Sequence, residues 1–265
     1  MLPQLKAGAR EKIVTFIRHT VEESGASGVA VNLSGGIDSA LTLKLCVEAL
    51  GPGKVHALLL PDRSESGSDE EDAHLFATSL GVHVHRYYIG GIVGEFSSIV
   101  GVEDRRVLGN IKARTRMVFV YAVANSLNLL VAGTSNKSEF LTGYYTKFGD
   151  GASDFCPIGD LYKSEVRQLA SESGVPAVFI EKAPSAGLWA GQTDEGEMGI
   201  TYAELDTILH SVERGMDAAS ISSAEGIDLA AVERVLEMVR SSRHKRSSAS
   251  IPPIDGTVPS PDWPG

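Results

Sequence analysis

The sequence predicts an α/β fold, a doubly wound and mostly parallel sheet with helices on both faces. Three observations predict it. Short apolar runs of strand length recur along the chain, stretches with helical spacing alternate with them, and a glycine-rich turn follows the first run directly. Parallel neighbours need a crossover connection, usually a helix, so regular strand–helix alternation implies a parallel sheet.

Leu5, Ile13, Phe16, Ile17 and Val21 recur at helical spacing, so residues 4–23 read as an amphipathic helix. Gly25 and Gly28 stop it, and Val29–Leu33 (VAVNL) reads as a buried strand ending at glycines. Residues 38–50 read as a helix closed by Gly51-Pro52. The alternation repeats with a strand at Val55–Leu60, a helix at 68–80, a strand at Val82–Ile89, a long helix around 107–127, a strand at Leu129–Ala132 and a helix opening near Ser135. Residues 141–160 and 181–200 are Gly-rich without clear period, which suits lids or binding loops. Helices at 201–213 and 227–240 follow, then a basic run and a Pro-rich tail. No repeat or low-complexity linker divides the chain, so residues 1–265 are expected to form one domain with 247–265 as an extended tail.

Composition narrows the function. The 265 residues are 43% hydrophobic and 22% charged, enough to bury a core and unlike a disordered chain. Lys and Arg number 24 against 34 Asp and Glu, a net charge of −10, which argues against a broad nucleic-acid surface while allowing local basic patches. Cys46 and Cys156 are too few for a disulfide framework or a thiolate metal site, and a reducing cytoplasmic setting fits. The N-terminal stretch lacks the apolar core of a signal peptide, and no run approaches the ~20 apolar residues of a membrane helix. Neither nucleic acid nor membrane is an expected partner.

The first chemistry is in Ser34-Gly35-Gly36-Ile37-Asp38-Ser39, between a predicted strand and a predicted helix. Glycines let the backbone approach an anion, and a helix start offers free N–H groups with a favourable dipole. Asp38 would repel phosphates unless it holds a divalent cation that bridges to them. The plain alternative is a tight turn with Asp38 as a helix cap. The Gly-Lys-Ser/Thr ending of a Walker loop and the dinucleotide Gly-x-Gly-x-x-Gly pattern are both absent. SGGIDS instead resembles the pyrophosphate-binding loop of the ATP pyrophosphatases, which share the adenine nucleotide alpha-hydrolase-like fold, cleave ATP between the α and β phosphates and transfer AMP to an acceptor oxygen.

Later blocks narrow the choice. NIKARTRM packs three cations, GTSNKSE stands at a predicted strand end, and LTGYYTKFGDGASD interleaves Tyr144, Tyr145 and Phe148 with glycine and charge. With LYKSEV, KAPSAGL, DEGEMGITYAELD and the terminal HKR, these are similar in content and order to the blocks of ammonia-dependent NAD synthetases, across essentially the whole chain. The resemblance implies ATP-dependent amidation of deamido-NAD through an NAD-adenylate, giving NAD, AMP and pyrophosphate as the last step of NAD biosynthesis. It implies ATP contacts at Asn32, Leu33, Ser34, Gly35, Gly36, Ile37, Asp38, Ser39, Thr134, Lys163 and Ser185. It implies deamido-NAD contacts at Arg114, Lys147, Asp154, His244 and Lys245, and Mg²⁺ ligation by Asp38 and Glu139. Lys163 would neutralise charge at the phosphates beside Asp38, and Asp154 is a candidate for accepting a proton from ammonium.

Two departures from that family stand out. Ser185 replaces the usual Thr, and Ser135-Asn136-Lys137 replaces a stretch that often holds an acidic residue and a histidine. The resemblance further implies a homodimer. With the synthetase module filling the chain, no glutaminase domain is expected, so free ammonia is the expected nitrogen donor. The competing readings are another ATP pyrophosphatase, such as a tRNA sulfur-transfer or GMP-forming enzyme, and a non-catalytic nucleotide-binding regulator. Cys46, inside an apolar helix, reads as core.

Overall fold

A computed structural model describes residues 1–62, 67–189 and 191–254. Its sheet has four strands, β1 (Gly28–Asn32), β2 (Val55–Leu59), β3 (His83–Arg86) and β4 (Leu129–Ala132), in the order β3-β2-β1-β4. All three pairings are parallel. Side-chain alternation divides the two central strands between two cores. Val29 and Val31 of β1, with Val55, Ala57 and Leu59 of β2, join the core beneath helices α1 (Ala9–Ser24), α2 (Ile37–Leu50) and α3 (Ser68–Ser79). Ala30 and Leu58 face the other way, against α4 (Gly90–Val100) and α5 (Arg105–Leu127). Helices therefore cover both faces, as predicted.

After β4 come α6 (Lys137–Thr142), α7 (Lys163–Glu172), α8 (Ala177–Glu181), α9 (Asp194–Met198), α10 (Tyr202–Glu213), α11 (Ala218–Glu225) and α12 (Leu229–Ser241), with a 3-10 turn at Ser242–Lys245. α7 and α8 return to the first core through Val166, Leu169 and Phe179. The last helices have their own core, in which Leu205, Ile208, Ile221, Val232 and Val235 pack with Tyr162. No helix among the described residues is long and apolar enough to cross a membrane.

Several sequence expectations are corrected. The first helix starts at Ala9 rather than residue 4, because Gly8 takes a left-handed φ of 76°. Leu5 still packs on the core, held by its N–H donating to Gln168 Oε1 at 2.9 Å. The predicted strand Val82–Ile89 shrinks to His83–Arg86. Beyond it Ile89 N–H still donates to Pro61 O at 2.9 Å, but a proline has no N–H to return. The helix expected near Ser135 opens at Lys137, with Asn136 as its cap. The expected lid segment at 181–200 contains the short helix α9, and its Ala190 lies outside the described residues. Residues 255–265 of the expected tail also lie outside them.

Sequence order runs outward from β1 to β2 to β3, then returns to β4 on the other side of β1. The strand order reverses between β1 and β4, and the crevice beyond their carboxyl ends is where such sheets bind ligands.

Candidate active site

The turn after β1 holds its shape by internal bonds. Ser39 Oγ donates to Gly36 O at 2.9 Å and accepts from Ser34 N–H at 3.2 Å. Gly35 has φ +83°, and a Cβ there would lie 2.7 Å from the backbone oxygen of Asp69, so conformation and space both require glycine. The turn thereby delivers Asp38 to the first turn of α2, beside N–H groups with no partner inside the helix.

The turn after β4 supplies the opposing groups. Asn136 is fully buried and bonds in three directions. Its Oδ1 accepts from Glu139 N–H at 3.0 Å, its own N–H donates to Glu139 Oε2 at 3.2 Å, and its Nδ2 donates to Asp38 Oδ1 at 2.9 Å. This reciprocal cap fixes the start of α6 and ties both carboxylates to one residue, Glu139 through the backbone N–H of Asn136 and Asp38 through its side chain.

Lys163, the first residue of α7, joins them. Its Nζ hydrogen-bonds Asp38 Oδ2 and lies 3.6 Å from Glu139 Oε1, with only 2% of the residue exposed. The ring of Tyr202 lies 5.1 Å from the same ammonium, and Tyr202 OH donates to Asp194 Oδ2 at 3.2 Å. Burial alone would drive Lys163 toward neutrality, but Asp38, Glu139 and Asp194 outweigh it and its pKa is raised. Burial and the neighbouring Asp38 charge push Glu139 up to about 8. Two carboxyl groups therefore share the one ammonium of Lys163.

These groups sit in a cleft of about 750 Å³ lined by the loops after β1 and β4, one side of α5, and the segment from Phe179 to Gln192. A family model described as NAD synthase matches residues 9–249.

The chain belongs to the NAD synthase family.

An NH(3)-dependent NAD(+) synthetase from Archaeoglobus fulgidus is 50% identical over 245 residues, which are 92% of this chain and 94% of that protein. One from Thermococcus kodakarensis is 49% identical over 240 residues, 90% of this chain and 94% of that protein. Among solved structures, an NMN synthetase from Francisella tularensis superposes with a TM-score of 0.82 at 37% identity, covering 92% of this chain and 97% of that one. An NH3-dependent NAD synthetase from Campylobacter jejuni gives 0.80 at 32% identity, with the same coverage.

Of the residues singled out for ATP in this NAD synthase chain, Asn32, Leu33, Ser34, Gly36, Ile37, Asp38, Ser39, Thr134, Lys163 and Ser185 line the cleft. Gly35 stands behind them, its carbonyl accepting from Lys182 Nζ at 3.4 Å. Lys245 also lines the cleft, and its Nζ donates to Gly143 O and Tyr145 O, each at 2.6 Å. Arg114, Lys147 and His244 form a linked corner that does not line it. Arg114 Nη2 donates to Lys147 O at 3.2 Å, and Lys147 Nζ donates to His244 O at 2.6 Å. Asp154 stands apart from the Asp38–Glu139–Lys163 centre, accepting from Val131 N–H at 2.7 Å and from Tyr121 OH at 3.3 Å. Tyr121 itself lines the cleft, its hydroxyl pushed up to about 12 by burial and the Asp154 charge.

Sequence reasoning passed over three residues that line the cleft, Arg116, Lys182 and Asp194, and over the role of Asn136 behind it. Arg116 lies one helical turn from Lys112 and on the cleft side of α5, whereas Arg114, two residues away, points to the Lys147 corner. The signal was the cation cluster itself; the helical period would have chosen Arg116.

The donor set fits a Mg²⁺ ion held partly by substrate. Among the described residues no group of three or more His, Cys, Asp or Glu forms a cage. Two carboxylates do face one buried cation, and Mg²⁺ commonly takes one or two carboxylates and fills its octahedron with water and phosphate oxygens.

Proposed function

We propose that this protein amidates deamido-NAD with ammonia at the expense of ATP, through an NAD-adenylate, giving NAD, AMP and pyrophosphate. The observation that carries the proposal is the meeting of Asp38, Glu139 and Lys163 at the start of α2, where the sheet order reverses. ATP phosphates would lie on the turn Asn32–Ser39, with Thr134 and Ser185 supplying hydroxyls from the facing walls. Mg²⁺ held by Asp38 and Glu139 would polarise the phosphoryl oxygens. The nicotinate carboxylate attacks the α-phosphorus as pyrophosphate leaves, an approach of anion to anion. Lys163 offsets the resulting charge from a fixed position screened from water. Ammonia then displaces AMP from the activated carboxyl. Deamido-NAD would reach from the cleft toward Lys245 and the Arg114–Lys147–His244 corner, near Asp154.

Sulfur transfer is a weaker reading, because burial pushes the Cys46 thiol up to about 12 and leaves it without a nucleophilic thiolate. A homodimer belongs to the proposal, supported by the apolar residues that α4 leaves exposed. The two free cysteines support a reducing, cytoplasmic setting.

The test is incubation with ATP, Mg²⁺ and deamido-NAD, with either ammonium or glutamine as nitrogen source. NAD and AMP are expected with ammonium and not with glutamine. Absence of AMP under all conditions would remove the proposal. A further arm offers the acid precursor of NMN as acceptor, because an NMN synthetase is among the similar structures. Equal turnover of both acceptors would widen the substrate class. Asp38→Ala should abolish adenylation while the protein stays folded.

A further inference from the structure

Asp206 lies on α10, outside the residues that line the cleft, and is fully buried. Its carboxylate spends both oxygens on the neighbouring helices. Oδ2 accepts from Ser164 N–H at 2.8 Å, and Oδ1 accepts from Ser138 Oγ at 2.5 Å. Ser138 Oγ in turn accepts from Lys163 N–H at 3.0 Å. The first two N–H groups of α7, which have no partner within their own helix, are therefore satisfied from α10, one directly and one through a serine. A carboxylate at a helix N-terminus also suits the dipole there.

The serine makes this a three-helix junction. Ser138 precedes Glu139 on α6, and Lys163 precedes Ser164 on α7, so the two bonds of Asp206 reach the immediate chain neighbours of both groups that face Asp38. Tyr202, one turn before Asp206 on α10, places its ring against the Lys163 ammonium. One face of α10 thus supports Lys163 at its backbone and at its charged end.

We infer that Asp206 is a positioning residue: by joining the starts of α6 and α7 it sets where Lys163 and Glu139 stand relative to Asp38. The inference deepens the adenylation reading and rests on it for its kinetic consequences. Misplacing a cation that acts on transition-state charge lowers kcat more than it weakens ground-state binding.

Asp206→Asn keeps the shape and one acceptor but removes the charge. Pyrophosphate release is expected to fall at least about tenfold in kcat, with KM for ATP moving less than about threefold. A crystal structure of the variant is expected to show Lys163 Nζ withdrawn from Asp38. Ile208→Val, in the core of the same helix, serves as the control for mere destabilisation and should lower Tm without moving kcat. A folded Asp206→Asn protein with wild-type kcat, or with Lys163 still on Asp38, overturns the inference. If that variant does not fold, Ser138→Ala decides: a kcat loss in the same direction supports the junction, and wild-type kcat overturns it. Should the wild type itself release no pyrophosphate, the functional reading fails, and the position of Lys163 in the variant still tests the positioning role.

Discussion

Lys163 is held between two carboxylates on the helices that follow β1 and β4, and removing its charge has two separable consequences. Lys163→Met leaves Asp38 and Glu139 facing one another without a cation, and breaking a buried pair this way costs about 3–5 kcal/mol. Adenylation should fall by about a hundredfold to a thousandfold, the range for losing one fixed electrostatic group. Millimolar Mg²⁺ should raise Tm more in the variant than in the wild type, because the ion replaces the missing charge; thermal melts with and without Mg²⁺ check this. An equal rise would mean that the two carboxylates are not the metal's seat. Asp38, Glu139 and Lys163 were legible in the sequence because each stands in a block whose order can be recognised. Asn136 was visible only as a departure, and its bond to Asp38 spans 98 positions. Asp194 opens the block DEGEMGITYAELD, but its role was not assigned: its place beside Lys163 comes from burial and from Tyr202, which only the folded α10 brings to it.

At the scale of elements, the edge of the sheet holds a feature the fold does not need. His56 of β2 stacks on His83 of β3 at 4.5 Å between ring centres, and His56 Nδ1 lies 2.9 Å from His85 Nε2. Burial, with the charges that His83 and His85 would carry, pushes His56 down to about 4 from an ordinary 6.5. The folded state then binds this proton later than the unfolded state as pH falls. The stability it contributes is complete above pH 6.5 and is lost progressively down to about 4. The ring is only half-buried, so solvent screening reduces the effect to about 1 kcal/mol. Chemical denaturation of wild type and His56→Gln across pH 4–7 should show a flatter profile for the variant; parallel profiles would remove the assignment. Strands β1, β2 and β4 were readable because buried parallel strands are short unbroken apolar runs. The helices α4 and α7 were not. Gly90, Gly91 and Gly94 weaken the first, and Ile92, Phe96 and Ile99 are turned outward, so no core-facing stripe marks it. The second is mostly polar, and its only apolar residues are Val166, Leu169 and Ala170, all three in the core.

At the scale of the whole molecule, the outward face of α4 and its neighbour α5 is at odds with a chain of net charge −10. Ile99 is 77% exposed, Val100 56%, and Ile92 and Phe96 51% each, while Val107 and Val118 of α5 are exposed as well. The only charged residue on α4 is Glu95. Contiguous exposed apolar surface of this kind marks an association site. Two copies, each strongly acidic, repel at long range, so their contact is expected where charge is absent. A twofold dimer places the same patch on both sides, and one substitution therefore counts twice. Light scattering at micromolar concentration should give twice the mass of the chain. Ile99→Asp should weaken association by at least about a hundredfold, because two unpaired carboxylates would be buried in one interface. The consequence extends to the site, since α5 carries Arg116 into the cleft wall and Arg114 to the Lys147 corner. A monomeric Ile99→Asp protein is expected to lose turnover together with its partner. A wild-type protein that is monomeric and fully active would show instead that the α4 face serves no role in assembling the site.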